Sequence, residues 1–150
     1  MRRIAQRILS LRDEADEHEA TIAALVKAWR PDLLEQRGVG PIVAGIVLAA
    51  WSHQGRIHSE GAFAMIAGCA PIPASSGQTT RHRLNWQGDR QLNWAIHVVY
   101  LQRMRHHEAV RTYIACRRVE GKTSREIRRC VKRYIARELF QLLGRPLDNQ

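Results

Sequence analysis

The chain is poor in cysteine, lysine, aromatic residues and long apolar runs. Its three cysteines, Cys69, Cys116 and Cys130, are odd in number and lack CxxC spacing. That excludes a disulfide framework and a cysteine-rich zinc site, and it fits a reducing compartment. No apolar run reaches the roughly 18 residues that a membrane-spanning helix needs. The start, MRRIAQRILSLRDEADEHE, is basic, but acids interrupt it before an apolar signal region can form. The expected location is therefore the cytoplasm, with no membrane partner. Lysine supplies only three of the 24 cations, namely Lys27, Lys122 and Lys132.

What is present points to an ordered domain carrying a polyanion-binding surface. At 45% apolar and 25% charged, 150 residues can bury a core. Net charge is +10, and it is unevenly placed. Residues 1–75 hold 8 Lys+Arg against 8 Asp+Glu, and residues 76–150 hold 16 against 6. The whole excess lies in the second half and is almost all arginine, whose planar fork matches phosphate oxygens two at a time. Clustered basic charge of this kind is the usual electrostatic footprint of a nucleic-acid binder.

The periodicity predicts an all-α fold. Ile4, Ile8, Leu11, Ala15, His18, Ile22, Leu25 and Trp29 step alternately by four and three, a heptad seam on a helix over 4–29 that Pro31 stops. Two readings stand for that seam: packing on its own domain, or a coiled coil, with homo-oligomerisation as the expectation. Next, Leu33 to Gln36 reads as a helical turn, Gly38-Val39-Gly40-Pro41 as a tight hairpin, and Ile42 to Trp51 as a helix. Together these make a helix–hairpin–helix motif whose amides at Gly38 and Gly40 could clamp a phosphate. Gly45 and Ala44 would admit a closely packed helix. Ser59 can cap a helix over 60–67.

Residues 68–93 read as an irregular loop, GCAPIPASSGQTTRHR followed by GDRQLN, because Pro71, Pro73 and the Ser75-Ser76-Gly77 run exclude a regular element. A hydroxyl beside glycine, followed by Arg81 and Arg83, is the set that attack on a phosphodiester needs: a nucleophile, room for substrate and charge neutralisation. Helices follow over 89–106 and 108–119, and His97 reads as a hydrogen-bonded core histidine. The capping box Thr123-Ser124-Arg125-Glu126 then opens a helix that runs to Leu143. On that helix Arg125, Arg129, Arg133 and Arg137 recur every four residues, with Arg128 and Lys132 beside them, a face fit for a phosphate backbone. Arg90, at the start of the central helix, joins this set. No His/Cys/Asp/Glu pattern reads as a metal site.

The order GVGPxxAxxIxxA, GxAPxPxxSGxxxRxR, GxRxLxxA and an Arg-rich terminal helix resembles the C-terminal transposase domain of the insertion sequence 110 family, which includes the Piv-type DNA invertases. The resemblance covers roughly residues 32–143. It implies DNA transposition by a serine recombinase unrelated to the resolvase type. Ser76 is then the nucleophile, with Ser75 as the second choice. Residues 1–31 become a shortened coiled-coil linker and 32–146 the helical transposase domain. Family members also carry a RuvC-like domain with four acidic metal ligands, which this sequence does not contain. The resemblance therefore implies no cofactor in this chain, Mg²⁺ on that other domain, DNA and structured RNA as partners, and little strand transfer by the chain alone. Two positions depart from the family pattern: Gly-Asn becomes Gly88-Asp89, and Leu-Arg becomes Leu92-Asn93. An aspartate there would repel DNA. The competing reading is a non-catalytic helix–hairpin–helix module that grips phosphates without chemistry.

Overall fold

A computed structural model describes residues 2–73, 82, 83, 85 and 87–146. Among these, six α-helices account for nearly all regular structure, and the all-α expectation holds. The helices are α1 (Arg2–Trp29), α2 (Pro41–Trp51), α3 (Glu60–Ile66), α4 (Arg90–His106), α5 (Glu108–Val119) and α6 (Ser124–Leu143). Their ends follow local chemistry. Ser59 accepts from the Ala62 amide at 3.1 Å, and the Thr123–Glu126 pair forms a reciprocal capping box. Gly121 takes φ +81° between α5 and α6, a conformation that disfavours any residue with a Cβ.

The core lies where α2, α4 and α6 meet. Val47, Leu92, Ile96, Val99, Ile127, Ile135, Leu139 and Leu143 are fully buried there. Trp51, Phe63 and Phe140 pack with ring centroids 5.6–6.2 Å apart, which ties α3 to α2 and α6.

Helix α1 joins this body only at its C-terminal end. Val26 is buried, and the Ile22 methyl group sits 3.0 Å from where a Cβ on Gly45 would be. The contact that Gly45 was expected to admit is therefore α1 on α2. The packed positions are Ile22, Val26 and Arg30, and the seam residues Leu25 and Trp29 stay exposed with Ile4, Ile8 and Leu11. Arg30 locks the joint. It is buried, chelates the Asp32 carboxylate at 3.0 and 2.6 Å, and donates to the carbonyls of Leu142, Leu143 and Arg145. Those carbonyls lie at or just past the C-terminal, negative end of α6, where a cation is favoured.

Two local expectations change. Ahead of the Gly38 hairpin, the backbone holds a single 3₁₀ turn, Pro31–Leu33, where the motif would have its first helix. The loop over 68–93, read as wholly irregular, contains a short antiparallel ladder: β1 (Ile72–Pro73) pairs with β2 (His82–Arg83), with Ile72 opposite Arg83 and Pro73 opposite His82. A proline with no amide to donate is tolerated at such a strand end.

Candidate nucleic-acid interface

The β1–β2 hairpin is rooted by backbone contacts at the end of α3. Gly68 takes φ +64°, and the amides of Cys69 and Ala70 both donate to the Ala64 carbonyl, at 2.8 and 3.0 Å. On the returning leg, Asn85 donates from Nδ2 to the Met65 carbonyl at 2.8 Å, and the Asp89 amide donates to the Ile66 carbonyl at 2.6 Å. The two legs cross at glycine. A Cβ on Gly88 would lie 2.6 Å from the Gly68 nitrogen and 2.8 Å from the Ile66 carbonyl oxygen. Both neighbours are backbone and cannot swing away, so no larger residue fits.

Asn93, in the first turn of α4, binds this root to α6. Its Nδ2 donates to the Ala67 carbonyl at 2.7 Å, while its own Oδ1 and carbonyl accept from Lys132 Nζ at 2.8 and 3.1 Å. Burial pushes the Lys132 ammonium below the usual lysine range, and neighbouring Arg128 adds to the shift. His97, one turn further along α4, is half-buried and stacked on Tyr100 at 5.8 Å, not a core histidine. Burial lowers its basicity first, and Lys132 and Arg128 lower it further. The Cys69 thiol is raised by burial, against the opposing pull of Lys132 and Arg133. Arg128, Lys132 and Arg133 thus lie electrostatically close to the hairpin's root.

The arginine row is not uniform. Arg125 and Arg128 are exposed, and Arg129 is half-buried. Arg133 and Arg137 both reach Glu60, at 3.5 and 3.3 Å. Glu60, in the first turn of α3, thus competes for two cations of this face. Arg90 is exposed at the start of α4. Asp89, suspected of repelling DNA, is instead the N-cap of that helix, and its Oδ1 accepts from the Gln91 and Leu92 amides at 2.7 and 3.1 Å.

The other candidate residues are spread unevenly. Ser75, Ser76 and Arg81 lie outside the described residues. Arg83 is described by its backbone, in β2 opposite Ile72. Gly38 and Gly40 are not brought to the hairpin root. Gly38, at φ +84°, packs against Val99 and Gln102 in the second half of α4, and the space around Gly40 is open. Sequence reasoning missed Glu60, Asn85, Asn93 and the Gly68–Gly88 crossing. Of these, Asn93 left a trace in the sequence, as a departure from the family pattern.

Among the described residues no three His, Cys, Asp or Glu side chains come together as a metal site. No helix among them is long and apolar enough to cross a membrane.

Comparison with curated proteins finds no match. The family model described as Transposase IS116/IS110/IS902 family matches residues 31–115, more than half of the chain and the stretch from the α1–α2 joint through the hairpin to α5. The chain belongs to this transposase family, and with that membership come a role in transposition and DNA as a partner.

Proposed function

We propose that the chain grips the phosphodiester backbone of DNA along the exposed side of α6 and supplies Ser76 as the nucleophile of strand exchange. One observation carries the reading. The root of the β1–β2 hairpin, whose two strands flank Ser75 and Ser76 in the sequence, is joined through Asn93 to Lys132 on the basic helix α6. Arg90, Arg125, Arg128, Arg129, Lys132 and Arg133 are the cations assigned to the backbone, and the amides at Gly38 and Gly40 are assigned to a separate phosphate. Structured RNA is a further polyanion suited to such surfaces. The uncovered seam of α1 is assigned to a second copy of the chain.

The chemistry assigned to Ser76 is a transesterification. Its Oγ forms a bond to phosphorus while the bond from phosphorus to a sugar oxygen breaks, and the hydroxyl proton ends on the departing sugar oxygen. Arg81 and Arg83 offset charge on the pentacoordinate phosphate. An incoming sugar hydroxyl reverses the step, so the phosphodiester is conserved. Ser75 is the second choice. A free serine is a weak nucleophile at neutral pH, and the resemblance puts the activating Mg²⁺ on an acidic RuvC-like domain.

The test is a protein–DNA adduct resistant to denaturation, formed on nicked duplex with the RuvC-like domain and Mg²⁺ supplied. Ser76→Ala should abolish the adduct and leave DNA affinity unchanged. An adduct retained in Ser76→Ala moves the role to Ser75 or away from the hairpin. The competing reading, a binding module alone, is favoured by a charge excess that needs no chemistry. It predicts no adduct with either protein, while log affinity still falls by roughly 0.9 per decade of salt for each phosphate neutralised.

A further inference from the structure

Helix α4 separates two basic regions. Asn93 and His97 lie toward the hairpin root and α6. Gln102 and His106 lie roughly half a turn round the helix from them, and His106 is about 20 Å along the axis from Asn93 at 1.5 Å per residue. On that far side, where α4 turns into α5, an open groove of about 790 Å³ is lined by residues that include Met104, His106, Glu108, Arg111, Ile114 and Arg118. It meets a smaller hollow of about 250 Å³ at His106, where Arg37 and Gly38 form the wall. Arg111 and Arg118 are two turns apart on one face of α5, and Arg37 comes from the hairpin before α2.

Some arginines elsewhere in the fold are neutralised by carboxylates. Arg103 is paired with Glu138, Arg117 with Glu120, and Arg133 and Arg137 with Glu60. Among the described residues no carboxylate pairs with Arg37, Arg111 or Arg118, and all three are exposed. An apolar floor, unpaired guanidiniums and a positive-φ glycine in one wall suit a chain of phosphates better than an isolated anion.

We infer that this groove binds the phosphodiester backbone of a second nucleic-acid segment, on the far side of α4 from the segment held at α6. That this segment is a second one rests on the proposed α6 interface. The groove itself does not.

Native mass spectrometry of the 150-residue chain with a 10-base-pair DNA duplex would count duplexes per protomer. The wild-type chain should take up two. Arg111→Glu with Arg118→Glu should reduce this to one, and Arg111→Lys with Arg118→Lys should restore most of the second occupancy. Arg125→Glu with Arg128→Glu should independently reduce two to one. If those α6 substitutions change nothing while the groove substitutions remove a duplex, the α6 reading fails and the groove stands. A wild-type chain that saturates at one duplex, or a groove variant that keeps two with unchanged helicity, would overturn the inference. Repeating the count with an RNA duplex of the same sequence identifies the ligand as whichever polymer the groove variant loses. In solution, the groove substitutions should reduce the slope of log affinity against log salt by about 2.

Discussion

Helices α1 and α6 share one sequence signature and meet opposite fates. Each is long, each carries apolar residues at steps of three and four, and each fills its other faces with charge. On α6 the stripe is buried: Ile127, Val131, Ile135 and Leu139 are at most 3% exposed. On α1 the stripe is bare, with Ile4 63%, Ile8 57% and Leu11 46% exposed. Periodicity therefore establishes that a helix has an apolar face, and only tertiary contact decides what covers it. The joint between α1 and the body uses Ile22, Val26 and Arg30, of which only Ile22 belongs to the heptad seam, so the seam from Ile4 to Leu11 remains uncovered.

The sharpest way to break this comparison is to truncate one residue from each stripe. Leu139→Ala should cost about 2–5 kcal/mol in denaturant-unfolding stability, because it opens a cavity in a packed core. Ile8→Ala, measured in dilute solution, should stay within about 0.5 kcal/mol. Equal costs would mean that α1 is covered in solution.

Next in size is the glycine crossing at the hairpin root. Gly88→Ala should destabilise by about 1–3 kcal/mol, since its methyl group would meet backbone and not a movable side chain. A neutral result by thermal unfolding would show that the two hairpin legs part easily.

A smaller effect tests the electrostatics of the α6 side. Glu60→Gln frees Arg133 and Arg137, so DNA affinity should rise and its salt slope should steepen by about 1–2. Fluorescence anisotropy across a salt series would read this. An unchanged slope removes those two arginines from the interface.

The smallest effect concerns His97. Its folded pKa is depressed, mainly by burial, with Lys132 and Arg128 adding to the effect and Tyr100 stacked on the ring. The unfolded chain therefore binds a proton more readily than the folded one. Stability should fall as pH drops below about 6.5, the unperturbed histidine value. His97→Gln should flatten that fall between roughly pH 7 and pH 5, and an identical slope in both proteins would contradict the assignment.

Local rules made much of the fold legible. The capping box at Thr123, the cap at Ser59, the break at Gly121 and the stop ahead of Pro31 all stand where the sequence puts them, because each depends on residues within a few positions. Contacts between distant segments were not legible. Arg30 and Arg103 look like surface cations in the sequence, yet both are buried by partners more than 30 residues away. Asn93 reads as a lost arginine, and its role becomes visible only when Lys132 is seen to donate into it. Asp89 reads as a repulsive charge until its two amide donors are located. Glu60 was missed for the same reason: its pairing with α6 is a property of packing.

The most direct test of the central claim is a chemical location. DNA-linked protein, formed on nicked duplex with the RuvC-like domain and Mg²⁺ present, would be digested with nuclease and protease and sequenced by mass spectrometry. The account predicts a nucleotide phosphate esterified to Ser76. A phosphate found on any residue outside the β1–β2 hairpin, or strand exchange with no protein-linked intermediate, would contradict it.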